Sequence, residues 1–171
     1  MRAVLIRHPA VAAPPGTCYG RLDLPLDPAA AAVAGRLAAI ATAYSGRVWT
    51  SPAARCRAIA GPRAQPDDRL RELDFGAWEG RPWDDVPRRE LDRWAADVLH
   101  RAPPGGESGA ALLARVAAFH ADLLARAEDC LVVAHGGPLK LLAALLRGTA
   151  PDLLAPAPPL GAVIRIGWRP G

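Results

Sequence analysis

Leu5-Ile6-Arg7-His8-Pro9 closes a short apolar run that begins at Ala3. Ala3-Val4-Leu5-Ile6 has the length and apolar continuity of a buried strand, so the chain is expected to enter its core at once and to present Arg7 and His8 at the strand's end. A guanidinium offers a planar fork of donors and a neutral imidazole a nucleophilic nitrogen, a pair suited to a phosphate group. The dipeptide alone is equally what a solvated strand end looks like. A second junction shifts the balance: Leu131-Val132-Val133-Ala134 is another apolar run, ended by His135 and followed by Gly136-Gly137 and a helix from Pro138 to Arg147. In a parallel sheet both histidines emerge at the carboxyl edge, where open α/β folds place their ligands. The two glycines let backbone N–H groups at a helix N-terminus approach an anion.

The 171 residues, 51% of them hydrophobic, suffice for one sizeable core and point to a single α/β domain over 1–171. No uninterrupted apolar run reaches the ~18 residues of a membrane span, and the N-terminus lacks the basic-then-apolar pattern of a signal peptide, so the expected location is the cytoplasm with no membrane partner. Cys18, Cys56 and Cys130 are widely spaced and odd in number, which suggests reduced buried thiols rather than disulfides or a zinc motif. The net charge of +4 comes almost wholly from scattered arginines, Lys140 being the only lysine. Nucleic acid would call for a basic stripe with interleaved aromatics, so a small anionic substrate is the better match.

Between these ends, Ala10 to Leu26 is a Pro- and Gly-rich loop hung on the first strand, placed to line a pocket. Asp27-Pro28 starts a helix that runs to about Ala43, and Arg47-Val48-Trp49-Thr50 is the next strand. Ser51-Pro52 repeats the cap-then-proline signal for a short helix bearing Arg55 near its first turn, with Arg57 turned about 200° away at 100° per residue. From Gly61 to Gly106 the pattern loosens into a small cap, with a helix from Trp83 to about Val98 and with Trp78, Trp83 and Trp94 read as packing anchors. Ser108 caps an amphipathic helix reaching Ala127, and Ala162 to Ile166 form a last strand. His100 and His120 are expected to be structural or exposed.

Four segments in this order, Leu5-Ile6-Arg7-His8, Ser51-Pro52-Ala53-Ala54-Arg55, Leu70 to Gly80 and Val132 to Gly137, resemble the histidine phosphatase superfamily, the phosphoglycerate-mutase-like fold. The resemblance implies a three-layer α/β/α sandwich around a mostly parallel sheet, with residues 61–106 as a cap insertion. It implies metal-independent phosphomonoester hydrolysis without a cofactor: His8 as nucleophile, Glu72 as proton donor, and Arg7, Arg55, His135 and Gly136 around the phosphate. The residues themselves leave Glu72 and Glu79 as alternatives for the acid; the family pattern selects Glu72 and leaves Glu79 to fix the loop. Two neighbouring arginines are expected to lower the pKa of His8, and a backbone carbonyl to fix its tautomer.

Gly16 to Leu26 and Pro104 to Ser108 further resemble the alpha-ribazole phosphatase branch, which acts in assembly of the cobalamin lower ligand. That likeness makes alpha-ribazole 5'-phosphate the expected substrate and Thr17, Tyr19, Arg21 and Glu107 its expected contacts. A phosphatase of broad or different specificity is the alternative, ahead of a mutase-type phosphotransferase, whose relatives carry a longer cap, and of a non-catalytic binder. The chain departs from the family at Pro9, which stands where glycine is usual and removes a backbone N–H, and at Ala10 to Pro15, which replace the polar residues that commonly follow.

Overall fold

The computed structural model describes residues 1–167. Five strands, β1 (Arg2–Arg7), β2 (Arg47–Thr50), β3 (Gln65–Pro66), β4 (Cys130–Ala134) and β5 (Val163–Gly167), form one sheet in the order β3-β2-β4-β1-β5. All pairings are parallel except β1 with β5, which run antiparallel. Five α-helices, α1 (Ala31–Ala43), α2 (Ala54–Ala60), α3 (Arg88–Ala96), α4 (Gly109–Arg126) and α5 (Gly136–Leu146), surround it.

Alternation along the strands separates two cores. Ala3, Leu5, Cys130 and Val132 face α4 and α5, whereas Ile6, Leu131 and Val133 face α1 and α2. The central strands β1 and β4 are apolar on both sides because each side is covered, which is why they read as apolar runs rather than as alternating ones. The expected three-layer sandwich with a mostly parallel sheet is what forms. On α4 the buried positions Leu112, Val116, Phe119 and Leu123 repeat every three or four residues. Ser108 Oγ accepts from the N–H of Ala111 (3.3 Å), and Ala127 at φ 53° ends the helix in the left-handed region.

Several expectations are corrected. The helix foreseen from Trp83 to Val98 is broken: a 3₁₀ turn covers Trp83–Asp85, and α3 begins only at Arg88. Pro87 causes the break, since a residue before proline is driven out of the α region and Val86 is extended at ψ 128°. Not all of 61–106 is cap, because Gln65 and Pro66 pair with Trp49 and Thr50 and so extend the sheet. The helix after His135 starts at Gly136, two residues earlier than foreseen, the glycines being its first turn rather than a preceding loop.

The cap has its own small core of Cys18, Trp78 and Val86, with Phe75, Trp83, Leu91 and Trp94 packed against it. Its aromatic rings meet edge-on, Phe75 with Trp83 at 5.2 Å and Trp78 with Trp94 at 5.8 Å between centroids, the arrangement that ring quadrupoles favour. The loop after β1 is zipped to this cap by main-chain bonds: Cys18 N–H to Arg81 O (2.8 Å), Gly80 N–H to Cys18 O (2.8 Å) and Trp83 N–H to Gly16 O (2.8 Å). All three cysteines are free and buried.

Candidate active site

Strands β1 and β4 are neighbours, and their last ladder bonds fix where the chain leaves the sheet. The N–H of His8 donates to Ala134 O (3.1 Å), and that of Ser51, at the end of β2, donates to Val133 O (2.9 Å). Three adjacent parallel strands thus deliver His8, His135 and the start of α2 to one place at the carboxyl edge. The His8 and His135 rings lie edge to face with centroids 5.1 Å apart, each ring 1% exposed.

His8 Nδ1 lies 2.7 Å from Pro9 O. A carbonyl can only accept, so Nδ1 carries the proton and Nε2 keeps its lone pair. Burial first, then the Arg55 and Arg7 charges, hold the His8 pKa down at about 4, against the partial opposing effect of the Pro9 carbonyl. The substitution that removes a backbone donor at position 9 therefore leaves intact the carbonyl that sets the nucleophile's tautomer.

Arg55, on the first turn of α2, is 1% exposed. Its Nη1 donates to Leu22 O (2.8 Å) and its Nη2 to Gly20 O (2.5 Å), so the guanidinium holds the loop after β1 while lying 5.6 Å over the Tyr19 ring. Nη2 also meets His135 Nδ1 at 3.3 Å, which makes that nitrogen the acceptor and directs Nε2–H to Ser51 Oγ at 2.7 Å. Burial and the neighbouring Arg55 charge keep His135 well below the usual imidazole range. Arg7 donates Nη1 to Pro158 O (2.5 Å), and a side chain at Gly136 would press on its guanidinium, 3.1 Å from Cζ. The Nε atoms of both Arg7 and Arg55 are buried without a hydrogen-bond partner among the described residues.

Glu72 lies across from this group at the N-terminus of α5, where both carboxylate oxygens accept from the N–H of Gly137 (3.1 Å each). A Cβ on Gly137 would fall on the carboxylate itself, so glycine is what admits Glu72 there. Glu79 is engaged elsewhere: its oxygens accept from the N–H groups of Arg21 (2.9 Å), Leu22 (2.5 Å) and Phe75 (3.0 Å), tying the loop to the cap.

A cavity of about 400 Å³ is lined at its base by Arg7, His8, Arg55, Glu72, His135 and Gly137. Its walls include Tyr19, Phe75, Trp83, Trp94, Leu112 and Leu153, with Thr17 and Lys140 at the sides. Trp83 and Trp94, expected only as packing anchors, thus also face the cavity; Trp78 alone is wholly within the cap, its Nε1–H donating to Glu90 (3.1 Å). Gly136 is not part of the lining and stands behind Arg7. Arg21 and Glu107 are not in the lining either, because they face each other at 3.4 Å and Arg21 also pairs with Asp74.

The sequence reading missed Ser51 as the partner of His135, Asp23 as the residue whose carboxylate accepts from the Ala54 N–H (2.9 Å) at the start of α2, and Lys140, whose Nζ donates to Leu153 O and Ala155 O. Ser51 reads locally as a helix cap, and Asp23 and Lys140 carry no local signal. Among the described residues no group of three or more His, Cys, Asp or Glu side chains is arranged to hold a metal ion, and no helix is long and apolar enough to cross a membrane.

The buried neutral histidines have a thermodynamic consequence. An unfolded chain's imidazoles, near the ordinary 6.5, take up protons that folded His8 and His135 refuse. Below pH 6.5 the unfolded state binds more protons, so stability falls as pH drops toward 4, with a slope approaching ~2.7 kcal/mol per pH unit for two groups. Urea midpoints at pH 7, 6 and 5 should decline steadily; a flat midpoint across that range would contradict the neutral pair.

The histidine phosphatase superfamily (branch 1) model matches residues 3–171. The chain belongs to that superfamily. It superimposes on the alpha-ribazole phosphatase of Shigella flexneri with TM-score 0.85 and 28% identity, covering 98% of this chain and 90% of the other. It superimposes on the mycobacterial glucosyl-3-phosphoglycerate phosphatase Rv2419c with TM-score 0.71 and 27% identity, covering 87% and 80%. A stretch of 113 residues is 34% identical to the bifunctional protein Rv2228c of Mycobacterium tuberculosis, covering 63% of this chain and 30% of that protein. The matched stretch of the chain thus spans about 30% of the length of such curated relatives.

Proposed function

We propose that this histidine phosphatase hydrolyses a small-molecule phosphate monoester through a phosphohistidine on His8, with alpha-ribazole 5'-phosphate as its substrate. The observation that carries the chemistry is a neutral imidazole with Nε2 unprotonated, set beside two guanidiniums, Arg55 buried and Arg7 half-buried, each with a buried Nε that has no hydrogen-bond partner among the described residues. Two cations balance a phosphate dianion, and the α5 N-terminus adds its partial positive charge.

In the first half-reaction His8 Nε2 attacks phosphorus, the P–O ester bond breaks, and Glu72 in its acid form gives its proton to the departing alkoxide. The Nδ1–H held on Pro9 O stabilises the positive charge that develops on the ring. Arg7 and Arg55 neutralise the equatorial oxygens, the electrostatic contribution that dominates phosphoryl transfer. His135 keeps Arg55 in place from the far side and completes the phosphate pocket. In the second half-reaction the Glu72 carboxylate takes a proton from water, water oxygen bonds to phosphorus, and the N–P bond breaks to return neutral His8 and inorganic phosphate.

The substrate assignment rests on the likeness to the Shigella enzyme together with the cavity wall. Phe75, Trp83, Trp94 and Leu112 present aromatic and aliphatic surface above the charged base, which suits a leaving group with a flat, largely apolar ring system more than a highly hydroxylated one. The test is phosphate release by the purified protein from alpha-ribazole 5'-phosphate beside phosphoserine, sugar phosphates, nucleotides and phosphoglycerates. The expected result is a kcat/KM for alpha-ribazole 5'-phosphate at least ~10-fold above the rest, the discrimination that one well-matched apolar contact gives. A flat panel, or a preference for another ester, would remove that substrate; no release from any ester would favour a binder.

A further inference from the structure

Arg115 lies on α4 between Leu112 and Phe119, on the face turned to the core, and its side chain is 14% exposed. Its Nε and Nη2 donate to the two Glu107 oxygens at 2.7 and 2.8 Å, a bidentate pair with Glu107 11% exposed. Nη1 donates to the carbonyls of Arg69 (2.7 Å) and Arg71 (2.6 Å), and Nη2 to that of Glu72 (3.0 Å). All five N–H groups of the guanidinium are thereby used, three of them on the main chain that carries Glu72.

That main chain is anchored by the buried side chains of Leu70 and Leu73 and by the Glu107 N–H on Asp74 O (2.9 Å), with no strand ladder along it. Leu70 ends a 3₁₀ turn, and Arg71 to Asp74 belong to neither helix nor strand. The three carbonyls that a strand ladder would otherwise satisfy converge on one cation, and charge-assisted bonds of this kind are about twice as strong as neutral ones. Glu107 balances the buried cation and fixes its plane, so the fork cannot rotate away.

We propose that the Glu107–Arg115 pair is a clamp that sets the reach of the Glu72 carboxyl, making both of them positioning residues for proton transfer to the leaving group; this rests on Glu72 being the proton donor. The clamp fixes Glu72 from its backbone, as Gly137 N–H does from its carboxylate. A proton donor works only within about 2.6–3.2 Å of the oxygen it protonates, and a displacement of ~1 Å is worth on the order of 100-fold.

The test compares Arg115→Lys and Glu107→Gln with wild type and Glu72→Gln on two esters: a primary alkyl phosphate, whose alkoxide must be protonated, and p-nitrophenyl phosphate, whose leaving group departs unprotonated. For the clamp variants kcat/KM on the alkyl ester should fall about 30- to 100-fold, while on p-nitrophenyl phosphate it stays within about threefold. Inhibition by inorganic phosphate should be unchanged, since the arginine pocket is untouched. Equal losses on both esters, or none, in the clamp variants while Glu72→Gln separates the esters would overturn the clamp. If Glu72→Gln treats the two esters alike, it is the assignment of the acid that fails. A chain that does not fold in either clamp variant gives the pair to the fold alone and also overturns the proposal.

Discussion

Replacing His8 by alanine is expected to reduce phosphate release by on the order of 10⁴-fold or more and to abolish acid-labile, base-stable phosphoryl labelling of the protein. No other side chain in the cavity combines a neutral nitrogen nucleophile with two adjacent cations: His135 Nδ1 faces Arg55 and its Nε2 faces Ser51. His8 is fully buried, so the change also leaves Pro9 O without its donor, at a cost of about 1–3 kcal/mol in stability. The variant should still melt cooperatively and still bind inorganic phosphate through Arg7 and Arg55. Rapid quench with labelled substrate decides the matter: a phosphoenzyme that persists in the alanine variant would show that another residue is the nucleophile.

Glu72→Gln is the second large effect. On an alkyl phosphate kcat/KM should drop about 10²–10⁴-fold, the range typical for a general acid, whereas on p-nitrophenyl phosphate it should be nearly unchanged. Because the same residue activates water for the second half-reaction, the glutamine variant should release one equivalent of nitrophenol rapidly and then stall as phosphohistidine. Stopped-flow absorbance reads the burst directly. A linear trace with wild-type turnover would exclude Glu72 from the second half-reaction, and an unchanged kcat/KM on the alkyl phosphate would exclude it from the first; Glu79, bound to three backbone N–H groups of the loop and cap, offers no ready replacement.

The parts of this site that could be read from the chain are those whose burial leaves a local trace. Ala3 to Ile6 and Leu131 to Ala134 are apolar on both faces, so strands ending in His8 and His135 announce themselves without any partner being known. Arg55 is legible because a strand end, a proline and a helical turn fix its place within ten residues. Arg115 carried a fainter signal: it falls at the spacing of Leu112 and Phe119, and a charge on the buried face of an amphipathic helix is a cue to look for a partner. Its partners on Arg69 to Glu72 are more than forty residues away, a separation that no local pattern reports. The same is true of Arg21 and Glu107, where a likeness to substrate-binding loops drew attention to the right segments but the side chains satisfy each other. Gln65 and Pro66 escaped notice because a two-residue edge strand has no periodicity to display. The stretch from Trp83 to Val98 is not one helix because Pro87 drives Val86 out of the α region.

The loop after β1 is stitched to the cap by backbone bonds at Gly16, Cys18 and Gly80, and two of its carbonyls are held by Arg55, the side chain we propose for the phosphate. On that proposal, recognition of the alcohol and recognition of the phosphate are mechanically one unit. A lineage that reshapes residues 16–22 to accept a new alcohol also moves the acceptors that orient Arg55, so a change of diet is felt at once as a change in rate. Divergence in substrate within such a scaffold is easiest through the cavity walls that Arg55 does not touch, Trp94 and Leu153 among them, and the loop beside Tyr19 should be the last part to drift.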